Sequence, residues 1–224
     1  MSADGVFAEL RKDALYFSAT LGVFRSLFAR DAAEVDLLNH IAAGTFWVIQ
    51  NSLYDSIVLQ VGRLTDSEWS GSGSRAQQNL VLQSLIRACR VEGRPEVVKG
   101  LTQRYKQVEA SAKRIRVVRH KLTGHTDRGV RQGVAPVPRT RLSEFTEALE
   151  SIAGFLNAFE GPVRGSETRY CPVIRGEPEV LLRCLREAIA FRREVRDWHL
   201  LGNPQRAKIR ELLSSAQSET HRVT

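Results

Sequence analysis

The residues best suited to chemistry lie in the segment RHKLTGH, which begins at Arg119 and ends at His125. Histidine titrates near neutral pH, so it can accept or donate a proton during a reaction. Arginine stays protonated and presents a planar set of donors, which lets it bind a phosphate group and stabilise negative charge there. The pair therefore indicates either phosphate chemistry or a basic helix end that faces water.

The direction in which Arg119 points decides between these interpretations. Apolar residues recur every three or four positions from Pro95 onwards, which predicts a helix that begins at the proline and ends near Gly124. The apolar stripe comprises Leu101, Tyr105, Val108, Ala112, Ile115 and Leu122. Because helical residues advance by about 100° each, Arg119 falls on this stripe, His120 on a flank and Lys121 on the opposite, solvated side. We therefore expect Arg119 to face inward.

An inward guanidinium needs a partner, because an unpaired buried charge is strongly destabilising. The partner is either an external anion or a carboxylate on the acidic second helix, for which Asp55 is the candidate. His125 can be understood simply as a cation that the helix dipole favours near a C-terminus. In a continuous helix it would lie about 120° from Arg119. A break at Gly124 would let it fold back, or the two groups can converge across a dimer axis.

Every other long segment also shows apolar residues at helical spacing. Helices are predicted over residues 6–30, 33–64, 79–91, 142–159 and 178–201, and after Gly202. Asp31 is the expected cap of the second helix, whose apolar residues extend beyond one face, so we expect that helix to be central and buried on two sides. The predicted fold class is all-α, an antiparallel helical bundle with extra C-terminal helices.

Charge is distributed unevenly along the chain. The net charge is +8, and residues 113–141 hold nine Lys or Arg against one acid, Asp127. Residues 31–68 hold six acids and one arginine, Arg63. The clustered basic residues are mostly arginine, which binds phosphate well, so the distribution indicates an anionic partner.

The cysteines and the hydropathy pattern favour a cytoplasmic protein. The three cysteines, at positions 89, 171 and 184, are far apart and form no CxxC pair. That pattern argues against a disulfide framework or a zinc site. We find no run of about 18 apolar residues and no apolar leader, so neither membrane spanning nor secretion is predicted.

The segment RHKLTGH resembles the arginine–histidine motif of the HEPN superfamily (higher eukaryotes and prokaryotes nucleotide-binding domains), in which a polar residue, here His120, follows the arginine. The wider pattern is similar to the AbiU-like branch, named for phage abortive infection. In that branch a long second helix ends in a sequence such as GRLTDSE, which contains Arg63 and Asp66. A polar loop and a short helix follow, and the motif helix then ends as in RHKLTGHTD. The resemblance covers the chain from about Leu27 to Phe159.

The resemblance implies a metal-independent endoribonuclease of the toxin or abortive-infection type. RNA supplies its own nucleophile, the 2′-OH, so the enzyme needs proton transfer and charge stabilisation rather than a metal or cofactor. His125 would move the proton, Arg119 would hold the phosphate, and His120 would orient the phosphate or its partner histidine. The implied partners are RNA, an antitoxin protein and a second copy of the chain, whose motif faces the first across a homodimer cleft.

Further residues have weaker predicted roles around this motif. The candidate RNA contacts are Lys121, Arg116 and Arg128. The candidate supporting residues are Arg63, Asp66 and Asp55, with an ion pair between Arg63 and Asp66 at the helix end as the simplest interpretation. Many HEPN toxins have a tyrosine two residues after the histidine, where this chain has Asp127, so control by modification of that tyrosine is not expected.

Residues 1–161 are predicted to form a HEPN-like helical domain, and residues 162–224 a C-terminal helical extension packed on it. Two other functions remain open. One is a HEPN-like module that binds nucleotides or RNA without cleaving them. The other is a structural helical protein, for which Arg119 would have a carboxylate partner in its own chain and no open cleft.

Overall fold

The structure is a computed structural model that describes residues 1–70, 76–124, 140–170 and 176–200. Over these ranges the chain forms an all-α helical bundle, as predicted. Its helices are α1 (Ala3–Phe28), α2 (Ala32–Thr65), α3 (Leu82–Val91), α4 (Pro95–Val118), α5 (Leu142–Arg164) and α6 (Glu177–Leu200). A π-helical segment, Arg119–Gly124, continues α4. The short strands β1 (Trp69–Ser70) and β2 (Gln77–Gln78) pair antiparallel, with Trp69 opposite Gln78.

Local sequence explains most of the helix ends. The Asp31 carboxylate accepts a hydrogen bond from the Ala33 amide at 3.0 Å, which confirms the predicted cap of α2. Pro95 occupies the first turn of α4, also as predicted. Helix α5 continues beyond the predicted end at residue 159 and includes Pro162. The proline removes only one hydrogen bond close to the helix end, where Gly165 adopts the left-handed conformation that terminates it.

The hydrophobic core lies among α1, α2, α3, α4 and α5. The predicted stripe of α4 is buried from Leu101 to Ile115, and α4 packs mainly against α5. The rings of Phe7 and Phe159 join α1 to α5, with centroids 4.9 Å apart. Each such buried side chain contributes about 1.5–3 kcal/mol, so these helices hold the end of α4 in a defined place.

Helix α2 is buried on two sides only at its C-terminal end, which corrects the expectation for the whole helix. Ile57, Val61 and Leu64 are fully buried, whereas Trp47 is 65% exposed and Val48 54%. The apolar pattern identifies side chains that favour burial, but it does not show whether the same chain covers them.

Two compact units are present, Met1–Pro178 and Glu179–Thr224. The core described above belongs to the first unit. The described part of the second unit is the portion of α6 from residue 179 to residue 200. The predicted boundary after residue 161 stays a prediction, and the predicted helix after Gly202 lies outside the described residues. None of the helices in the described ranges is long and apolar enough to cross a membrane.

The cysteines differ in their environment. Cys89 is buried and Cys184 is exposed, both as free thiols, and Cys171 lies outside the described residues.

Candidate functional site

The candidate site begins where α4 changes its geometry. The α-helix gives way at Arg119 to a π-helical segment that runs to Gly124. In a π-helix each backbone hydrogen bond spans five residues instead of four, and such segments are found frequently at functional sites. The sequence pattern predicted a plain α-helix here, whereas the structure changes geometry at the first residue of RHKLTGH.

Arg119 lies against the backbone of α2 at Gly62. A methyl group placed on Gly62 would come within 2.8 Å of Arg119 Nε and 3.2 Å of Cζ. Any residue larger than glycine would therefore push the guanidinium away from this surface. The Arg119 side chain is 25% exposed, so the predicted inward orientation is correct, although burial is incomplete.

Asp66 supplies the partner of Arg119. Arg119 Nη1 donates a hydrogen bond to Asp66 Oδ2, and Arg116 Nε lies 3.9 Å from Asp66 Oδ1. Asp66 follows the last turn of α2, where its backbone amide donates to the Gly62 carbonyl at 2.8 Å. The end of α2 thus contacts Arg119 through a bare glycine and holds its guanidinium with a carboxylate.

The prediction that Asp55 is the partner of Arg119 is wrong. Asp55 precedes Asp66 by eleven residues, which corresponds to about 16 Å along a helix. It is an exposed residue, although partial burial of its carboxyl raises the pKa of Asp55. The acidic character of α2 indicated a carboxylate partner, but only the helix end brings one close enough.

The expected ion pair between Arg63 and Asp66 is also not formed in the described part of the chain. Arg63 is exposed, and Asp66 pairs with Arg119 and approaches Arg116 instead. Arg63 lies three residues before Asp66 and could pair with it. The Arg119 guanidinium is less exposed, however, and is held by both Gly62 and Asp66.

The other predicted site residues lie in different environments. Arg116 is 35% exposed and borders Asp66, while His120 is exposed. Lys121 is half-buried rather than fully solvated, because the π-helical segment changes the rotation of the residues that follow Arg119. The predicted residues that lie outside the described ranges are His125, Asp127 and Arg128, and the side chain of Leu122 is not described either.

Tyr105 lies beside this site on the inner face of α4. Burial raises the pKa of Tyr105, and nearby Glu109 raises it further, Arg116 lowers it and Asp66 raises it. Its ring meets the edge of Phe155 at 6.1 Å between centroids. Tyr105 is therefore a neutral side chain that packs against Phe155 near Arg116 and Asp66.

Gly62 is the site residue that sequence reasoning missed. A glycine within a helix is about 1 kcal/mol less favourable than alanine, so its presence beside RLTD was an available indication of a close contact. No group of three or more His, Cys, Asp or Glu that could hold a metal ion occurs among the residues that the structure describes.

Comparison with protein-family models matches residues 3–174 to the HEPN_AbiU2 family, described as AbiU2. The matched region includes α1 to α5 and therefore both Asp66 and the segment that begins at Arg119. It begins earlier than the resemblance that starts at about Leu27. The chain shows no significant match to a curated protein or to a solved structure.

Proposed function

Since this chain belongs to the AbiU2 family of HEPN domains, we propose that it is a metal-independent endoribonuclease of the toxin or abortive-infection type. The observation that carries the proposal is the placement of Arg119. The first residue of the family-like motif is held between Gly62 and Asp66 at the start of a π-helical segment, and it is still partly exposed.

This placement suits binding of an RNA phosphate. A guanidinium has five N–H donors, and one nitrogen of Arg119 bonds Asp66 while another faces Gly62. The remaining Nη2 forms no hydrogen bond to the described residues and can donate to a phosphate oxygen. Arg116 lies beside the same carboxylate, so two arginines and one aspartate carry a net positive charge that favours an anion.

The chemistry that we propose needs one base and one acid. His125 accepts the proton of the ribose 2′-OH, and the 2′-oxygen attacks the adjacent phosphorus. The bond from phosphorus to the 5′-oxygen then breaks, and a second histidine protonates that oxygen. The products are a 2′,3′-cyclic phosphate and a 5′-hydroxyl, and Arg119 stabilises the charge on the phosphorane between these steps.

We propose that the second histidine comes from a second copy of the chain. Each chain has one His125, and α2 exposes apolar side chains of the kind that associate, with Trp47 65% exposed and Val48 54%. A homodimer that covers this surface would bring two copies of the motif together. RNA contacts by Lys121 and Arg128, orientation by His120 and inhibition by an antitoxin belong to the same proposal.

One observation favours the non-catalytic alternative. The Asp66 carboxylate already satisfies part of Arg119, so this arginine needs no ligand in order to stay partly buried. The same ion pair fits the structural interpretation, which predicted a partner within the chain. Both alternatives predict a purified protein that does not cleave RNA.

The test is cleavage of a short RNA by the purified protein in the presence of EDTA. We expect products with 2′,3′-cyclic phosphate ends, and no cleavage of the same sequence as DNA or as 2′-O-methyl RNA, because both lack the nucleophile. His125→Ala should lower the rate by at least about 100-fold, the lower range for loss of acid–base catalysis. Gln103→Ala, which changes an exposed residue of α4 away from the proposed dimer surface, is the control and should leave the rate unchanged.

Two results would contradict the proposal. One is cleavage that requires a divalent metal or leaves 5′-phosphate ends. The other is a folded His125→Ala protein with the wild-type rate. Saturable RNA binding without cleavage would instead establish the binding module.

A further inference from the structure

A cavity of about 230 Å³ lies between α1, α5 and the residues that follow α5. Its lining shares no residue with the Arg119 site. Leu21, Gly22, Leu149 and Ala153 provide its apolar walls. The volume is below the range of about 300–1,000 Å³ that is typical for drug-sized ligands, so only a small molecule fits.

Two residues of the cavity lining carry hydroxyl groups that have no hydrogen-bond partner among the described residues. Ser18 Oγ and the Tyr170 hydroxyl are both buried, and the two residues are only 1% and 9% exposed. Thr146, by contrast, already donates to the Leu142 carbonyl at 3.1 Å. Buried hydroxyls are normally paired, so two unpaired ones on one cavity indicate a polar occupant.

The Tyr170 hydroxyl is suited to donate to such an occupant. Burial raises the pKa of Tyr170, Glu160 raises it further, and Arg11 and Arg164 act in the opposite direction. The phenol therefore keeps its proton at neutral pH and offers a donor as well as an acceptor.

Three exposed charged residues complete the lining, namely Arg25, Arg169 and Glu150. Neither arginine side chain forms an ion pair within the described ranges. Two guanidinium groups and one carboxylate carry a net charge of +1. This charge favours an anion with a single anionic group over a highly charged one such as a nucleic acid strand.

We propose that this cavity is a binding site for a small organic anion, a phosphate ester or a carboxylate that also carries hydroxyl groups. Arg25 and Arg169 bind the anionic group, and Ser18 and Tyr170 bond the hydroxyl groups. Glu150 repels negative charge and so disfavours ligands with more than one anionic group. The proposal is independent of the ribonuclease, because the two sites use different residues on different helices.

The full-length protein can be titrated separately with inorganic phosphate, ribose 5-phosphate and glycerate by isothermal calorimetry. We expect at least one of these probes to bind saturably at one site per protomer, and the three arms separate phosphate from carboxylate recognition. Arg169→Gln should weaken that binding about tenfold, as expected for loss of one charge-assisted contact. Glu150→Gln should strengthen it, because a repulsive charge is removed. Arg104→Gln, on the exposed face of α4, is the matched control and should change nothing.

Tyr170→Phe distinguishes a ligand contact from a structural one. An unpaired hydroxyl contributes no hydrogen bond to the unliganded fold, so its removal should weaken binding without lowering the thermal midpoint of the free protein. The proposal is overturned by the absence of saturable binding for all three probes at millimolar concentrations. It is also overturned if Arg104→Gln weakens binding as much as Arg169→Gln, or if Tyr170→Phe lowers the thermal midpoint of the free protein.

Discussion

The C-terminal end of α2 and its middle differ in how completely the chain covers them. At the C-terminal end, Leu64 is fully buried, Gly62 lies against Arg119, and Asp66 pairs with the same arginine. Near the middle of the helix, Trp47 and Val48 are more than half exposed, whereas Leu38 closer to the N-terminus is buried. One helix therefore provides both a packed support for a charged group and an apolar surface without cover in the described part of the chain.

One chain supplies the carboxylate partner of Arg119, but its described residues leave apolar side chains of α2 exposed. The support of Arg119 needs only residues of one chain. The exposed apolar residues at the middle of α2 and the single His125 of each chain support our proposal of a homodimer, which would supply a second surface. The predictions below change one part of α2 at a time.

The largest effect is expected for Gly62→Ala. The added methyl group would displace Arg119 from α2, and overpacking of this kind typically destabilises by about 1–3 kcal/mol. RNA cleavage should fall together with stability, because the guanidinium moves. Urea unfolding and the cleavage assay measure the two effects.

Gly100→Ala is the matched control for that substitution. Gly100 also lies within a helix, but a methyl group there would meet no atom of another described element or side chain within 4 Å. Alanine should therefore stabilise the protein by up to about 1 kcal/mol through helix propensity and leave cleavage unchanged. Equal effects of the two substitutions would show that Arg119 does not depend on the bare backbone at Gly62.

Asp66→Asn is expected to have a smaller effect than Gly62→Ala. Asp66→Asn weakens the ion pair with Arg119, which is about three-quarters buried, and should cost about 1–2 kcal/mol after allowance for partial exposure. It should also slow cleavage, since Asp66 positions the arginine. Both effects can be followed at neutral pH.

Asp55→Asn should act in the opposite direction on stability. Desolvation raises the pKa of Asp55 in the folded state, so its ionisation opposes folding at any pH above its folded pKa. Removal of that charge should leave the protein equally stable or slightly more stable at pH 7, and the difference should vanish at low pH, where the carboxyl is protonated. A loss of stability in Asp55→Asn equal to that in Asp66→Asn would contradict the assignment of Asp66 as the partner.

The smallest effect on protomer stability is expected at the exposed middle of α2. Trp47→Glu removes an apolar side chain that is 65% exposed, so the unfolding free energy should change by less than about 0.5 kcal/mol. Association should be lost, because a charge is placed on the proposed dimer surface. Light scattering at micromolar protein reports the change, and Trp69→Glu, at another exposed tryptophan, is the control. A monomeric wild-type protein, or a dimeric Trp47→Glu protein, would contradict this use of the surface.

Much of the fold could be predicted because it depends on local rules. The stripe of α4, the Asp31 cap and the position of Pro95 all follow from spacing and backbone chemistry, and the structure confirms them. The family assignment rested on the residues around Arg63 and Arg119, and the family match confirms it.

The rest depended on contacts between distant residues. The stripe indicated that Arg119 faces inward, but the choice between Asp55 and Asp66 required the position of α2 relative to α4. The π-helical segment and the contact with Gly62 were also not predicted. A change of helix geometry and a close backbone approach do not alter the spacing of apolar residues. Apolar spacing also does not show whether Trp47 is covered, because it does not identify the surface that meets the helix.

The most direct test of the account is a double-mutant cycle on RNA cleavage in EDTA. Arg119→Ala, His125→Ala and the double variant should each lose at least about 100-fold in rate, and the double variant should be little worse than either single one, because the two groups act on one transition state. Each protein should keep its helical circular dichroism, and lower stability is expected in both variants that lack Arg119, because Asp66 loses this partner. Wild-type cleavage by folded His125→Ala protein, or fully additive losses, would contradict the claim that Arg119, held by the end of α2, works with His125 in one site.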